Sequence, residues 1–177
     1  MRLIIVTGMP GTGKEEFLNV ASDMGIRFIR MGDVVRETYQ FRDAACKEMS
    51  VGEFAEYERK KHGYDIWAKR SLERTNGDVF LVDGCRSIDE VNAFRSLTDD
   101  VTLVAIHSTP ETRYRRLVKR NRDDAPATLE EFIKRDEREM GWGIAKTIAL
   151  ADVMVPNDTT LEDFHAASKN VLERLIR

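Results

Sequence analysis

The sequence is poor in the features that mark secreted, membrane-spanning or nucleic-acid-binding chains. It holds only two cysteines, Cys46 and Cys85, too few for a disulfide framework or a four-ligand zinc site. A reducing cytoplasm is therefore the expected compartment. Its apolar runs are short: Leu3–Val6 and Val79–Val82 hold four residues each, against the ~20 needed to span a bilayer. No charged segment leads into an apolar stretch of the kind that opens a secretory signal. Excess charge of one sign is missing too, since 28 Lys+Arg stand against 31 Asp+Glu for a net −3. That balance gives no bulk electrostatic case for nucleic acid or a membrane surface as partner. Internal repeats, low-complexity tracts, a Ser-His-Asp arrangement and an HExxH motif are all absent.

What is present is a chain of 177 residues, 42% hydrophobic and 33% charged. That suits one globular domain over residues 1–177, large enough to bury a core without staples. The charge is unevenly placed. Between residues 113 and 122 stand Arg113, Arg115, Arg116, Lys119, Arg120 and Arg122, with no acid among them. Such a stripe fits either a compact anionic ligand or a solvated helix face.

Strand and helix patterns alternate along the chain. Residues 2–7 form a continuous β-branched run that must be buried on both faces, as in a parallel sheet. A glycine-rich turn follows, then a helix over 14–24 and a second strand over 26–30. Residues 33–75 read as two or three helical pieces, with Asp33 as an N-cap candidate and Ser50-Val-Gly-Glu53 as a capping box. A turn at 75–78 precedes a third strand at 79–82, a helix over 87–97 and a fourth strand over 101–106. A polar helical segment at 110–140 breaks near 123–126. A fifth strand at 152–155 and an amphipathic helix over 160–177 close the chain. Alternation of this kind implies a parallel sheet wrapped by helices. The helical segments at 33–75 and 113–145 exceed a plain crossover and follow strands whose ends face the ligand side of such a sheet.

The motif with the most chemistry is Gly8-Met-Pro-Gly-Thr-Gly-Lys14. Gly8, Met9, Pro10, Gly11, Thr12 and Gly13 can curl so that successive amides face phosphate oxygens. The helix behind adds its positive end, and Lys14 adds a mobile cation. The pattern departs from the usual one at the next residue. Glu15 replaces the Ser or Thr whose hydroxyl holds Mg²⁺. Its carboxylate can bind the metal through water or merely favour the helix N-terminus. Asp83 closes the apolar strand in Val79-Phe-Leu-Val-Asp-Gly-Cys-Arg86, where a second Mg²⁺ anchor is expected. Tyr57, Tyr64 and Trp67 can stack on a base or pack in the core. His107 reads as a hydrogen-bonded core residue, and His62 and His165 as surface ones.

The glycine loop, Met31-Gly-Asp-Val-Val-Arg36 and Val82-Asp-Gly-Cys-Arg86 resemble the nucleoside monophosphate kinases, adenylate kinase above all. The tail, Ala151-Asp-Val-Met-Val-Pro-Asn-Asp-Thr-Thr-Leu-Glu-Asp-Phe164, is similar instead to the end of dephospho-CoA kinases. With Arg135-Asp-Glu-Arg-Glu-Met-Gly-Trp-Gly143, the whole chain most resembles an archaeal group of adenylate-kinase-related P-loop proteins, the UPF0200 family. The resemblance implies a three-layer α/β P-loop NTPase with a five-stranded parallel sheet in the order 2-3-1-4-5. It implies ATP as donor with Mg²⁺, Arg36 on the acceptor's phosphate, and Arg86 in a similar but displaced role. Arg120 and Arg122 match the arginine-rich approach to a lid, shorter here, with Arg135 and Arg138 as returning arginines. Asp33 is either a base for an alcohol acceptor or only a helix cap. The expected activity is γ-phosphoryl transfer to a nucleoside monophosphate first, or a dephospho-CoA-like alcohol second, by a monomer or homodimer. A nucleotide-binding regulator or slow ATPase without a second substrate is the alternative.

Overall fold

The computed structural model describes residues 1–75, 77–120 and 125–177. Five parallel strands, β1 (Arg2–Thr7), β2 (Arg27–Arg30), β3 (Val79–Asp83), β4 (Val101–His107) and β5 (Val153–Pro156), form one sheet in the order β2-β3-β1-β4-β5. The expected order is thus observed. β1 occupies the centre because both its faces are apolar. Leu3 and Ile5 point into one core with Trp67, Phe80, Val82 and Phe94. Ile4 and Val6 point into a second core with Phe17, Leu81, Ile106, Phe164 and Leu172. This period-two division of one strand between two cores makes the three layers.

The second core is closed by α1 (Lys14–Asp23) and α9 (Leu161–Leu175), which contact each other across it. The first is covered by α2 (Met31–Gln40), α3 (Val51–His62), α4 (Ile66–Leu72) and α5 (Ile88–Arg95). The Ser50–Glu53 capping box forms as expected: Ser50 Oγ accepts from the Glu53 amide at 3.3 Å and Glu53 Oε2 accepts from the Ser50 amide at 2.7 Å. One boundary is corrected. Helix α2 begins at Met31 with Arg30 at its N-cap, so Asp33 lies inside the first turn and is not the cap. Met31, only 1% exposed, packs into the first core and draws the cap back by three residues, from Asp33 to Arg30.

After β4 the chain forms α6 (Pro110–Arg120) and α7 (Leu129–Gly141), then a short helix the sequence did not announce, α8 (Ile144–Ala149). Gly143, at φ 100°, turns the chain into it, and Ile144 is buried. Among the described residues no helix is long and apolar enough to cross a membrane.

Candidate functional site

The C-terminal ends of β1, β2 and β3 open into a cleft of about 370 Å³. Its floor is the glycine loop between β1 and α1. Gly8 lies under β4, where a Cβ would stand 2.5 Å from the Ile106 carbonyl oxygen, at a φ of 149°. Gly13 has φ 95° and forms the N-cap of α1 with no side chain capping it. A helix N-terminus left without a side-chain cap is suited to anions. Thr12 is buried, and its hydroxyl donates to the Met9 carbonyl at 3.0 Å, holding the loop's curl.

Lys14 folds back over this loop, its Nζ donating to the Gly8 carbonyl at 2.6 Å and the Met9 carbonyl at 3.3 Å. Asp83 stands at the end of the neighbouring strand, in register with Val6. Its Oδ1 is buried without a hydrogen-bond partner. Burial lowers the Lys14 ammonium from its ordinary value, against the opposing pull of the Asp83 carboxylate. Burial likewise pushes the Asp83 carboxyl up, with Lys14 and Arg86 pulling the other way. Each group is thus incompletely compensated, an arrangement more typical of ligand sites than of structural ion pairs. Glu15 lines the same cleft.

The expected acceptor residues are brought to the same opening. Arg30, Asp33 and Arg36 line it from β2 and α2, and Asp33 and Arg36 pair with each other one turn apart. Arg86 lines it from the segment after β3 and donates from Nε to Glu139 Oε2 at 2.6 Å. Burial works against the Arg86 charge, but Glu139, with Glu90 and Asp83, raises the guanidinium above its ordinary value. Burial also pushes Glu139 up, but Arg86, with Lys14 and Arg135, leaves the carboxyl lowered. Arg120 and Arg135 complete the rim from α6 and α7. Arg122 lies outside the described residues.

The basic stripe divides into distinct tasks. Arg113 is buried and makes a two-pronged pair with Asp136, Nη1–Oδ1 2.9 Å and Nη2–Oδ2 2.5 Å, while also donating to the Pro10 carbonyl at 3.2 Å. It fastens α6, α7 and the glycine loop together. Arg116 donates to Ser108 Oγ at 3.0 Å and Asn157 Oδ1 at 3.3 Å. Arg138, read from sequence as a returning arginine, is absent from the cleft lining and lies over the Trp142 ring at 5.6 Å. Arg59 and Arg86 lie over the same ring, at 4.8 and 5.5 Å.

Several contributors escaped the sequence reading. Asn157, buried after β5, donates from Nδ2 to the Thr12 carbonyl at 2.8 Å and so braces the loop from the far end of the chain. Glu139 and the fully buried Glu90, which accepts from the Arg86 amide at 2.6 Å, hold Arg86 from two sides. Glu139 directly follows Arg138 in a run of mixed charge that already holds Asp136 and Glu137, so nothing local set it apart. Trp67 is fully buried, as core packing required, whereas His107 is exposed rather than a core residue. His165 is half-buried and meets Glu16 at 3.0 Å.

A second cleft of about 450 Å³ opens on the other side of the loop, between α6 and the turn from β5 to α9. It shares Gly11, Gly13, Glu15 and Arg120 with the first and adds Arg116, Asn157 and Leu161. The two clefts therefore meet over the glycine loop.

Comparison with known proteins agrees with this architecture. Residues 4–140 match the family model described as an AAA domain. A UPF0200 protein of Thermoplasma acidophilum is 43% identical over 171 residues, covering 96% of this chain and 94% of the relative. Another, of Hyperthermus butylicus, is 41% identical over 176 residues, with 98% and 94% covered. Among solved structures, TT1252 from Thermus thermophilus superposes with a TM-score of 0.69 at 17% identity, over 98% of this chain and 97% of that one. A shikimate kinase from Bacteroides thetaiotaomicron gives 0.65 at 18%, over 99% and 98%. A gluconokinase from Sinorhizobium meliloti gives 0.62 at 15%, over 98% and 93%. At such identities the solved structures speak for the fold, while the near-full-length relatives speak for kinship: this chain belongs to the UPF0200 family, with a P-loop domain of kinase-like fold.

Proposed function

We propose that the protein is an ATP-dependent kinase that moves the γ-phosphoryl group onto a small anionic acceptor. The observation that carries this reading is the meeting of two clefts over one glycine loop, both lined by cations and the one away from α9 more densely. Adenosine would occupy the cleft bounded by Arg116, Asn157 and Leu161. The donor phosphates would lie along residues 8–13, with Lys14 turning from the Gly8 carbonyl to the β and γ oxygens. The acceptor would then meet the γ phosphate from the side of α2.

The residues present fit a Mg²⁺ ion of the kind that substrate phosphates share. Asp83 offers a buried oxygen without a partner, and Glu15 lines the same space. Among the described residues no cluster of three or more His, Cys, Asp or Glu forms a self-sufficient metal cage. Mg²⁺ in kinases is commonly held by one or two carboxylates, phosphates and water. When bound, it neutralises charge on the β and γ oxygens. Arg36 and Arg86 would hold the acceptor's anionic group, and Arg120, Arg122 and Arg135 would offset charge on the migrating group. Residues 33–75 would form the acceptor wall and 113–145 a short cover over the donor. Closure of that cover would exclude water that otherwise hydrolyses ATP.

Both acceptors expected from sequence, a nucleoside monophosphate or a dephospho-CoA-like alcohol, share the need for an anion-holding arginine. The alternative of a regulator or slow ATPase is favoured by one observation, the carboxylate of Glu15 at the cleft that would face a triphosphate. A transfer assay with γ-labelled ATP, Mg²⁺ and a panel of monophosphates, dephospho-CoA and small hydroxy acids separates the two. Label transfer that Lys14→Ala abolishes supports the kinase. Tight ATP binding with label appearing only as inorganic phosphate across the panel supports the alternative.

A further inference from the structure

We infer that the acceptor is a compact hydroxylated anion without an aromatic base, held at its charged end by Arg36 and Arg86 and at its hydroxyl by Asp33. The inference rests on the kinase reading of the same cleft and narrows its substrate class.

The cleft wall is the first ground. Its lining is dominated by charge: Lys14, five arginines and three carboxylates, with Pro10 and Leu18 the main apolar members and no aromatic side chain among the described residues. Binding sites for bases are walled by apolar and aromatic surface, because a ring's large faces gain little against hydrated ions. At about 370 Å³ the cleft is also at the small end of ligand pockets, which run from about 300 to 1,000 Å³. Donor phosphates take part of that space.

The second ground is where the aromatics of the acceptor wall have gone. Tyr39 packs edge-on against Phe54 at 5.5 Å, and its hydroxyl donates to the Met49 carbonyl at 2.5 Å. Phe54 packs in turn on Trp67 at 6.1 Å, and Trp67 Nε1 donates to the Ala55 carbonyl at 3.2 Å. Phe54 and Trp67 are both buried. Tyr57 packs against the same core and Tyr64 lines a separate groove beside Asp65 and Lys69. Phe41, 85% exposed at the C-terminal end of α2, does not line the cleft either, so charged side chains face the acceptor.

The third ground is Asp33. A carboxylate next to Arg36 would repel an acceptor that offered only phosphate oxygens, but it accepts a hydrogen bond from a hydroxyl. In the transfer step the acceptor hydroxyl oxygen forms a bond to Pγ of ATP. The bond from Pγ to the β–γ bridging oxygen breaks, and its electron pair leaves on ADP. The hydroxyl proton passes to the Asp33 carboxylate and from there to water. The product is a phosphate monoester and ADP.

The test loads the protein with Mg²⁺ and the non-hydrolysable analogue AMPPNP, then titrates AMP, ribose 5-phosphate, glycerol 3-phosphate and gluconate calorimetrically. Ribose 5-phosphate is AMP without its base, so the pair isolates what the base contributes. The expected result is ribose 5-phosphate binding within threefold of AMP, with the remaining two separating phosphate from carboxylate as the preferred anion. AMP binding tenfold or more tighter than ribose 5-phosphate overturns the inference, as does binding of none of the four. With ATP in place of AMPPNP, ³¹P NMR should show a new monoester; a new anhydride signal overturns the hydroxyl assignment. Asp33→Asn should lower turnover by about 100-fold while shifting KM for the acceptor less than threefold, a split that a purely structural role would not produce. Failure of AMPPNP itself to bind overturns the kinase reading, and the acceptor inference with it.

Discussion

Replacing Asp83 by Asn separates a structural carboxylate from a functional one, because the two roles predict opposite signs. Asp83 Oδ1 is buried with no partner, and burial pushes its carboxyl up despite Lys14 and Arg86 nearby. The folded protein thus bears an unfavourable charge in the absence of ligand. An unsatisfied buried polar group costs about 1–3 kcal/mol. Asn removes the charge but also removes the attraction to Lys14, so the lower end of that range, about 1 kcal/mol, is the expected gain. For a chain of this size that raises Tm by about 2–4 °C. Wild-type protein with Mg·ATP at 100 times Kd should gain about 2.7 kcal/mol, or about 5–11 °C. Asp83→Asn should lose the Mg²⁺-dependent part of that gain. Differential scanning fluorimetry with no ligand, with ATP and EDTA, and with Mg·ATP reads both effects. A lower Tm without ligand, together with an intact Mg²⁺-dependent shift, would refute the reasoning and make Asp83 a structural residue.

Lys14 gives a pH signature. Its folded value lies below its ordinary 10.5, so between the two the unfolded chain binds more protons and stability rises with pH. Urea unfolding across that window should show the rise in wild type and its loss in Lys14→Met. Arg113→Leu strands the carboxylate of Asp136, itself only 13% exposed; the expected loss is about 3 kcal/mol, or about 6–12 °C in Tm. The double variant Arg113→Leu, Asp136→Leu should recover much of it. Gly13→Ala places a methyl 2.2 Å from Asn157 Nδ2 at a φ of 95°. Left-handed backbone alone costs a non-glycine residue about 1–2 kcal/mol, so urea unfolding should show at least that loss together with weaker ATP binding.

Legibility from sequence followed range of interaction. β1, the glycine loop and the capping box at Ser50 are decided by neighbours within a few residues, and the sequence shows them directly. The sheet order followed from the resemblance, and the cleft residues Lys14, Asp83, Arg36 and Arg86 from motifs anchored to strand ends. The division of the basic stripe was not legible, because the partners of Arg113 and Arg116 lie 23 and 41 residues away. The bracing of the loop by Asn157 spans 145 residues and leaves no local pattern. The start of α2 was misplaced because burial of Met31 outweighed the capping preference of Asp33. α8 went unread because a helix of six residues carries too little periodicity to register.

The central claim, that one cleft pair binds ATP and hands its γ phosphate to a small anion, is tested most directly by ³¹P NMR of Mg·ATP turnover. The spectra are compared with and without added acceptor, in wild type and Lys14→Ala. The account predicts that an acceptor of the class described converts the γ resonance into a phosphate monoester, and that Lys14→Ala shows no turnover. Release of inorganic phosphate alone, at a rate no acceptor changes, would contradict it.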